Sequence, residues 1–110
     1  MSNMERRVYE RIGVDAPVVC QIVVGTWSTP VLLKDISRGG VQVEIGPGKV
    51  FDKSLLGQAV TFSTLADELT ERVDGVLGVI SWLSKERLGI RFDTPLSLTQ
   101  AELQSIIGRC

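Results

Sequence analysis

Arg6, Arg7 and Arg11 crowd the segment "ERRVYERIGVDAPV" (residues 5–18), immediately before the chain turns apolar. A guanidinium is planar and permanently charged, and its fork of donors meets a planar anion with two parallel bonds, which a lysine ammonium does not. Such a cluster is suited to gripping an anionic partner, and its plain alternative is a solvated basic arm. The second reactive-looking stretch is "KDISRGG" (residues 34–40), with Asp35, Ser37, Arg38, Gly39 and Gly40. As a turn, its Asp and Ser bond nearby backbone and its paired glycines take positive φ. As a site, it offers a carboxylate, a hydroxyl and backbone that a ligand can approach. With eight arginines in the chain, R-x-x-x-R is expected by chance roughly 0.6 times, so Arg7/Arg11 alone says little; D-x-S-x-x-G is expected only about 0.05 times, so the second motif has the greater weight.

Other chemistries are poorly supplied. The chain has no histidine, which removes the commonest general base and metal ligand. Neither paired carboxylates at catalytic spacing nor a metal-ligand cluster stands out, so an enzyme such as a nucleotide hydrolase is the weakest reading and no cofactor is expected. Twelve Lys plus Arg against thirteen Asp plus Glu give a net charge of −1, without the global positive field that drives binding to DNA or RNA. Any anion site must be local. Cys20, within "APVVCQIVV", reads as a buried thiol and Cys110 as a frayed one, which suits a reducing cytoplasm. "MSNMERR" lacks a signal-peptide core, and no apolar run approaches the roughly 18 residues of a membrane span, so a soluble chain without membrane insertion is expected.

The elements that must position these residues are read from hydrophobic period. Residues 16–25 are rich in Val and Ile and predict a strand, with a turn at "GTW". "TPVLLKDIS" predicts a second strand, with Pro30 near its start. "GGVQVEIG" alternates, with Val41, Val43 and Ile45 on one face and Gln42 and Glu44 on the other, as a half-buried strand does. "VFDKSLLGQ" reads as irregular or a short turn, "AVTFSTL" as a strand, and the polar stretch Ala66–Gly75 as a hairpin end or loop. "VLGVISWL" and "RLGIRF" pair across "SKE", with Arg87 and Arg91 at outward positions. In "SLTQAELQSIIGR" the period becomes helical, Thr99 and Glu102 form a capping box, and Gly108 offers a stop. Five or six short antiparallel strands and a closing helix predict an all-β fold with a C-terminal helix, closed as a small barrel so that no edge is left open.

An Arg-x-x-x-Arg element before the first strand, followed by D-x-S-x-x-G between strands two and three, resembles the PilZ domain family. The resemblance spans about Arg6 to Ile107 and includes the "GIRF" strand (Gly89–Phe92) and the helix. It implies a six-stranded antiparallel β-barrel over residues 16–110, a flexible N-terminal arm over residues 1–15, and a bacterial receptor for cyclic di-GMP. On that resemblance the arginine pair is Arg7 and Arg11, with Arg6 an additional arginine, and Asp35, Ser37 and Gly40 match the second motif.

Ligand chemistry gives each residue type a reason. Guanine O6 and N7 suit an arginine fork, and the two phosphates are permanent anions, so Arg7 and Arg11 divide between base and phosphate while Arg6 stacks or meets phosphate. The Asp35 carboxylate accepts guanine N1–H and N2–H₂ together, the selectivity element. Ser37 bonds a phosphate oxygen or buttresses the turn, Gly39 or Gly40 permits close approach, and Arg38 reaches phosphate or stays solvated. Trp82 stands near where the family often has an aromatic beside its ligand, although tryptophan usually buries most of its ring, so core packing competes with ligand contact. Trp27 reads as a loop cover or partner contact. With no second domain in 110 residues, output is expected through an unidentified downstream protein; the rival reading is a PilZ-like interaction module of pilus or flagellar machinery that does not depend on nucleotide.

Overall fold

A computed structural model describes residues 11–14, 18–46, 51–64 and 75–109. Among them are seven strands, β1 (Ile12–Gly13), β2 (Val19–Val24), β3 (Trp27–Ser37), β4 (Gly40–Glu44), β5 (Ala59–Thr64), β6 (Val76–Leu83) and β7 (Arg87–Phe92), a short 3₁₀ turn at Lys53–Leu55, and helix α1 (Gln100–Arg109). All strand pairs are antiparallel. The sheet runs β1-β3-β2-β5-β6-β7-β4, and pairing of β4 back onto β3 closes six of the strands into a barrel, with β1 the extra one. The expected all-β barrel with a C-terminal helix is therefore present. Arg6, Arg7, most of the polar stretch 66–75 and Cys110 lie outside the described residues.

Alternation builds the barrel interior. Cys20, Ile22 and Val24 of β2, Val41 and Val43 of β4, Val60 and Phe62 of β5, and Leu88, Ile90 and Phe92 of β7 all point inward and are buried, as a period of two with one wet face requires. Phe62 and Phe92 meet with ring centroids 6.3 Å apart at 46°, within the range of favourable aromatic pairs. Leu103, Ile106 and Ile107 of α1, with Leu96 and Leu98 ahead of it, join the same core. The expected capping box starts the helix: Glu102 N donates to Thr99 Oγ1 at 3.1 Å, and Thr99 N donates to Glu102 Oε1 at 2.8 Å.

Four expectations are corrected. Strand β3 is eleven residues long and begins at Trp27, so Trp27 is a strand residue, not a loop cover; over residues 27–31 only β2 pairs with it, and a proline is tolerated with one edge unpaired. Part of the segment expected as an arm is sheet, since Ile12 and Gly13 pair with Ile36 and Asp35. The helix runs through Gly108 to Arg109; a glycine within a helix costs only about 1 kcal/mol relative to alanine and stops it only in the left-handed conformation, which Gly108 does not adopt. The positive-φ glycines among the described residues are Gly25, Gly57 and Gly75, so Gly39 and Gly40 make their turn without it.

A two-row face with an adjoining cleft

Strict alternation would point Asp35 and Trp82 into the core. Two β-bulges prevent it. In β3 the register shifts between Leu33 and Asp35, and in β6 between Ile80 and Trp82. Leu33 and Ile36 thereby both face inward and Asp35 turns out, while Ile80 and Leu83 face the core side and Trp82 turns out. A bulge adds one residue to one strand and re-aims the side chains beyond it. These two flank the β4–β7 pair and aim their side chains onto the same outer face.

Strand pairing then orders that face into rows. Asp35 opposes Gln42, Gln42 opposes Gly89, and Gly89 opposes Trp82. One step along, Ser37 opposes Gly40, Gly40 opposes Arg91, and Arg91 opposes Val79. Four strands at the usual spacing span about 14 Å from Asp35 to Trp82. One of the two middle positions of each row is a glycine, Gly89 in the first and Gly40 in the second. A Cβ at Gly89 would overlap the Trp82 indole, with Cε2 at 2.6 Å and Cδ1 at 2.7 Å: the ring lies over Gly89 and remains 38% exposed. Of the two readings of Trp82, core packing and ligand contact, the bulge removes core packing. A cleft of about 700 Å³ runs along the second row, lined by Arg11, Ser37, Gly39, Gly40, Val41, Ser81, Trp82, Gly89, Ile90, Arg91, Phe92 and Pro95.

Arg11 and Asp35, 24 residues apart, meet at 2.7 Å between Nη1 and Oδ1. Strand β1 brings them together by placing Gly13 opposite Asp35. The only orientation of the Gln42 amide that suits both neighbours has its nitrogen donating to Asp35 Oδ2 at 2.6 Å and its oxygen accepting from Arg87 Nη1 at 3.2 Å. Arg87 Nε also meets Glu44 Oε2 at 3.3 Å, and Lys34 Nζ lies 3.7 Å from Glu44 Oε1. Asp35 is not itself among the residues lining the cleft and borders it through Arg11.

The rest of the second motif serves the turn. Ser37, buried, accepts from Gly39 N at 3.2 Å and donates to the Gly40 carbonyl at 3.3 Å. Of its two expected roles the structure shows the buttress. Arg38 Nε donates to the Leu96 carbonyl at 3.4 Å, and Leu96 N donates to the Arg38 carbonyl at 2.8 Å, so Arg38 is half-buried and the expectation of a solvated side chain does not hold. The room left by the missing Cβ of Gly40 is taken by the backbone of β7 at Ile90 and Arg91, so this glycine is needed for strand approach. Arg91, Gln42 and Gly89 are the residues that sequence reasoning missed. The alternation of "RLGIRF", which sets Arg87, Gly89 and Arg91 on one outer face, was the available signal.

Known proteins agree with this fold. No curated protein matches the sequence. Among solved structures, the PilZ domain of YcgR from Escherichia coli, determined with c-di-GMP, is similar at 20% identity with a TM-score of 0.72, over 94% of this chain and 90% of that one. The inhibitor of motility MotI/DgrA of Bacillus subtilis is similar at 22% identity with a TM-score of 0.62, over 94% of this chain and 50% of that one. The PilZ domain of CeSA from a cellulose-synthesizing bacterium is similar at 17% identity with a TM-score of 0.52, over 91% and 92%. The sequence matches the family model of the PilZ domain over residues 5–109, nearly its whole length, and the chain belongs to the PilZ domain family.

Proposed function

We propose that the chain is a cyclic di-GMP receptor domain, binding on the two-row face and in its cleft. The observation that carries the reading is the meeting of Arg11 and Asp35 on that face, opposite an exposed tryptophan. Arg11 and Asp35 belong to the two sequence motifs, lie far apart in the chain, and supply the two complementary functions a guanine base needs. An arginine fork matches O6 and N7, and a carboxylate accepts from N1–H and N2–H₂. The Trp82 ring offers a stacking surface at the far end of the row, and Arg91 in the cleft supplies a further cation for a phosphate. Arg6 and Arg7 complete the phosphate and base contacts from the leading segment. Arg38 and Ser37 hold the turn beneath the ligand, with Gly39 and Gly40 in its floor. YcgR, similar in fold, was determined with c-di-GMP, which supports the choice of ligand.

The domain acts by binding and not by catalysis: ligand favours the state in which the arginines are gathered on this face, and the altered surface is read by a partner protein in the cytoplasm. Calorimetric titration with cyclic di-GMP, with GTP as control, tests the reading. The wild-type chain binds the cyclic dinucleotide in preference to GTP, and Arg11→Ala weakens binding by about 1–3 kcal/mol, roughly 5- to 150-fold. Unchanged affinity in Arg11→Ala overturns the assignment.

A second reading, an interaction module independent of nucleotide, has one observation in its favour. On the outer face of β2, β5 and β6, Val23 opposes Thr61 and Thr61 opposes Leu77, and Val19, Val23 and Leu77 are exposed, Leu77 by 57%. A folded wild-type chain that shows no titration heat with cyclic di-GMP favours this reading.

A further inference from the structure

The inner end of the polar row is built so that its hydrogen bonds run in one direction. A guanidinium only donates. Arg87, braced by Glu44 through Nε, presents Nη1 to Gln42, so the amide oxygen of Gln42 must face Arg87 and its nitrogen must face Asp35. The terminal torsion of an aspartate is broad, and a carboxylate held at one oxygen can still rotate. Asp35 is held at both: Arg11 donates to Oδ1 and Gln42 to Oδ2. A carboxylate has about four acceptor sites, two per oxygen. Among the described residues each oxygen of Asp35 has one such partner, which leaves one site on each for a pair of parallel donors. The Gln42 contact comes from β4, paired on both edges, whereas Arg11 precedes the two-residue strand β1 at the rim.

We infer that Gln42, oriented by Arg87, is a positioning residue that sets the plane of the Asp35 carboxylate and so gives the face its selectivity for guanine over adenine. The inference rests on the receptor reading above. Adenine presents an acceptor at N1 where guanine has a donor, so a fixed carboxylate plane favours guanine and gives adenine nothing comparable. Removing the restraint on Asp35 weakens the guanine ligand selectively.

The test is calorimetric titration of the full chain with cyclic di-GMP and with cyclic di-AMP, for wild type, Gln42→Ala, Gln42→Glu and Arg87→Met, with thermal melts of each variant. Gln42→Ala is expected to weaken cyclic di-GMP about threefold to tenfold, the scale of one positioning hydrogen bond, and to narrow its preference over cyclic di-AMP. Gln42→Glu, nearly the same shape, is expected to weaken it more than Gln42→Ala, because a second carboxylate then faces Asp35 and repels it. Arg87→Met, which leaves Asp35 untouched but releases the amide, gives a loss of the Gln42→Ala size. A purely packing role for Gln42 predicts the opposite order, with the isosteric Gln42→Glu the milder change. That order, or wild-type affinity in Gln42→Ala, overturns the inference while the receptor reading stands. Absence of binding by the wild-type chain overturns the receptor reading and this one with it.

Discussion

Trp82 and Asp35 end the same cross-strand row, one ring and one carboxylate with a glycine and an amide between them. An indole resting on Gly89 and 38% exposed is held in the arrangement in which a base gains from stacking at little ordering cost. Trp82→Ala is expected to reduce cyclic di-GMP affinity by about 1–3 kcal/mol, the usual scale for one stacked base. Trp82→Phe, which keeps a flat ring, recovers most of that loss in the same calorimetric titration. Equal losses in the two variants contradict stacking. At this scale the sequence showed the types of residue but not their aim. Asp35 and Ser37 were legible as motif members; that Ser37 spends its hydroxyl on the turn, and that Arg91 and Gln42 stand beside the motif residues, depends on partners that only strand pairing supplies.

At the scale of elements, the glycine of D-x-S-x-x-G answers to the barrel. A Cβ at Gly40 would overlap the Ile90 carbonyl oxygen and approach Arg91 Cα to 3.4 Å, and neighbouring backbone cannot swing aside as a side chain can. Gly40→Ala is therefore expected to lower unfolding free energy by about 1–3 kcal/mol, as overpacking usually does, measured by urea denaturation. Stability equal to wild type contradicts the strand-approach role. The extents of strands β6 and β7 were readable from "VLGVISWL" and "RLGIRF" on either side of the short connection "SKE", and the helix start from Thr99 and Glu102, because each signal is local. The bulges at Lys34 and Ser81 were not readable. An inserted residue breaks the period of two, so that the inward residues run Leu33 to Ile36 and Ile80 to Leu83. Which residue is extra is fixed only by the register with the neighbouring strand, and strict alternation alone would have set Trp82 inward.

Across the whole molecule, closure of six strands divides the outer surface into faces of different character. The face over β3, β4, β7 and the end of β6 holds the charged and glycine positions, and the face over β2, β5 and the start of β6 exposes Val19, Val23 and Leu77. Pairing rules predicted closure because an open six-stranded sheet would leave two edges unpaired. The family resemblance supplied the strand number and the ligand class, which hydrophobic period alone could not. The most direct measurement of the central claim is a two-dimensional NMR titration of the labelled chain with cyclic di-GMP. Large shifts are expected for the backbone amides of Ser37, Gly40, Gly89 and Arg91 and for the Trp82 indole N–H, with Val19, Val23 and Thr61 unmoved. Shifts confined to the β2 and β5 face, or none at all in a folded chain at saturating ligand, would contradict that claim.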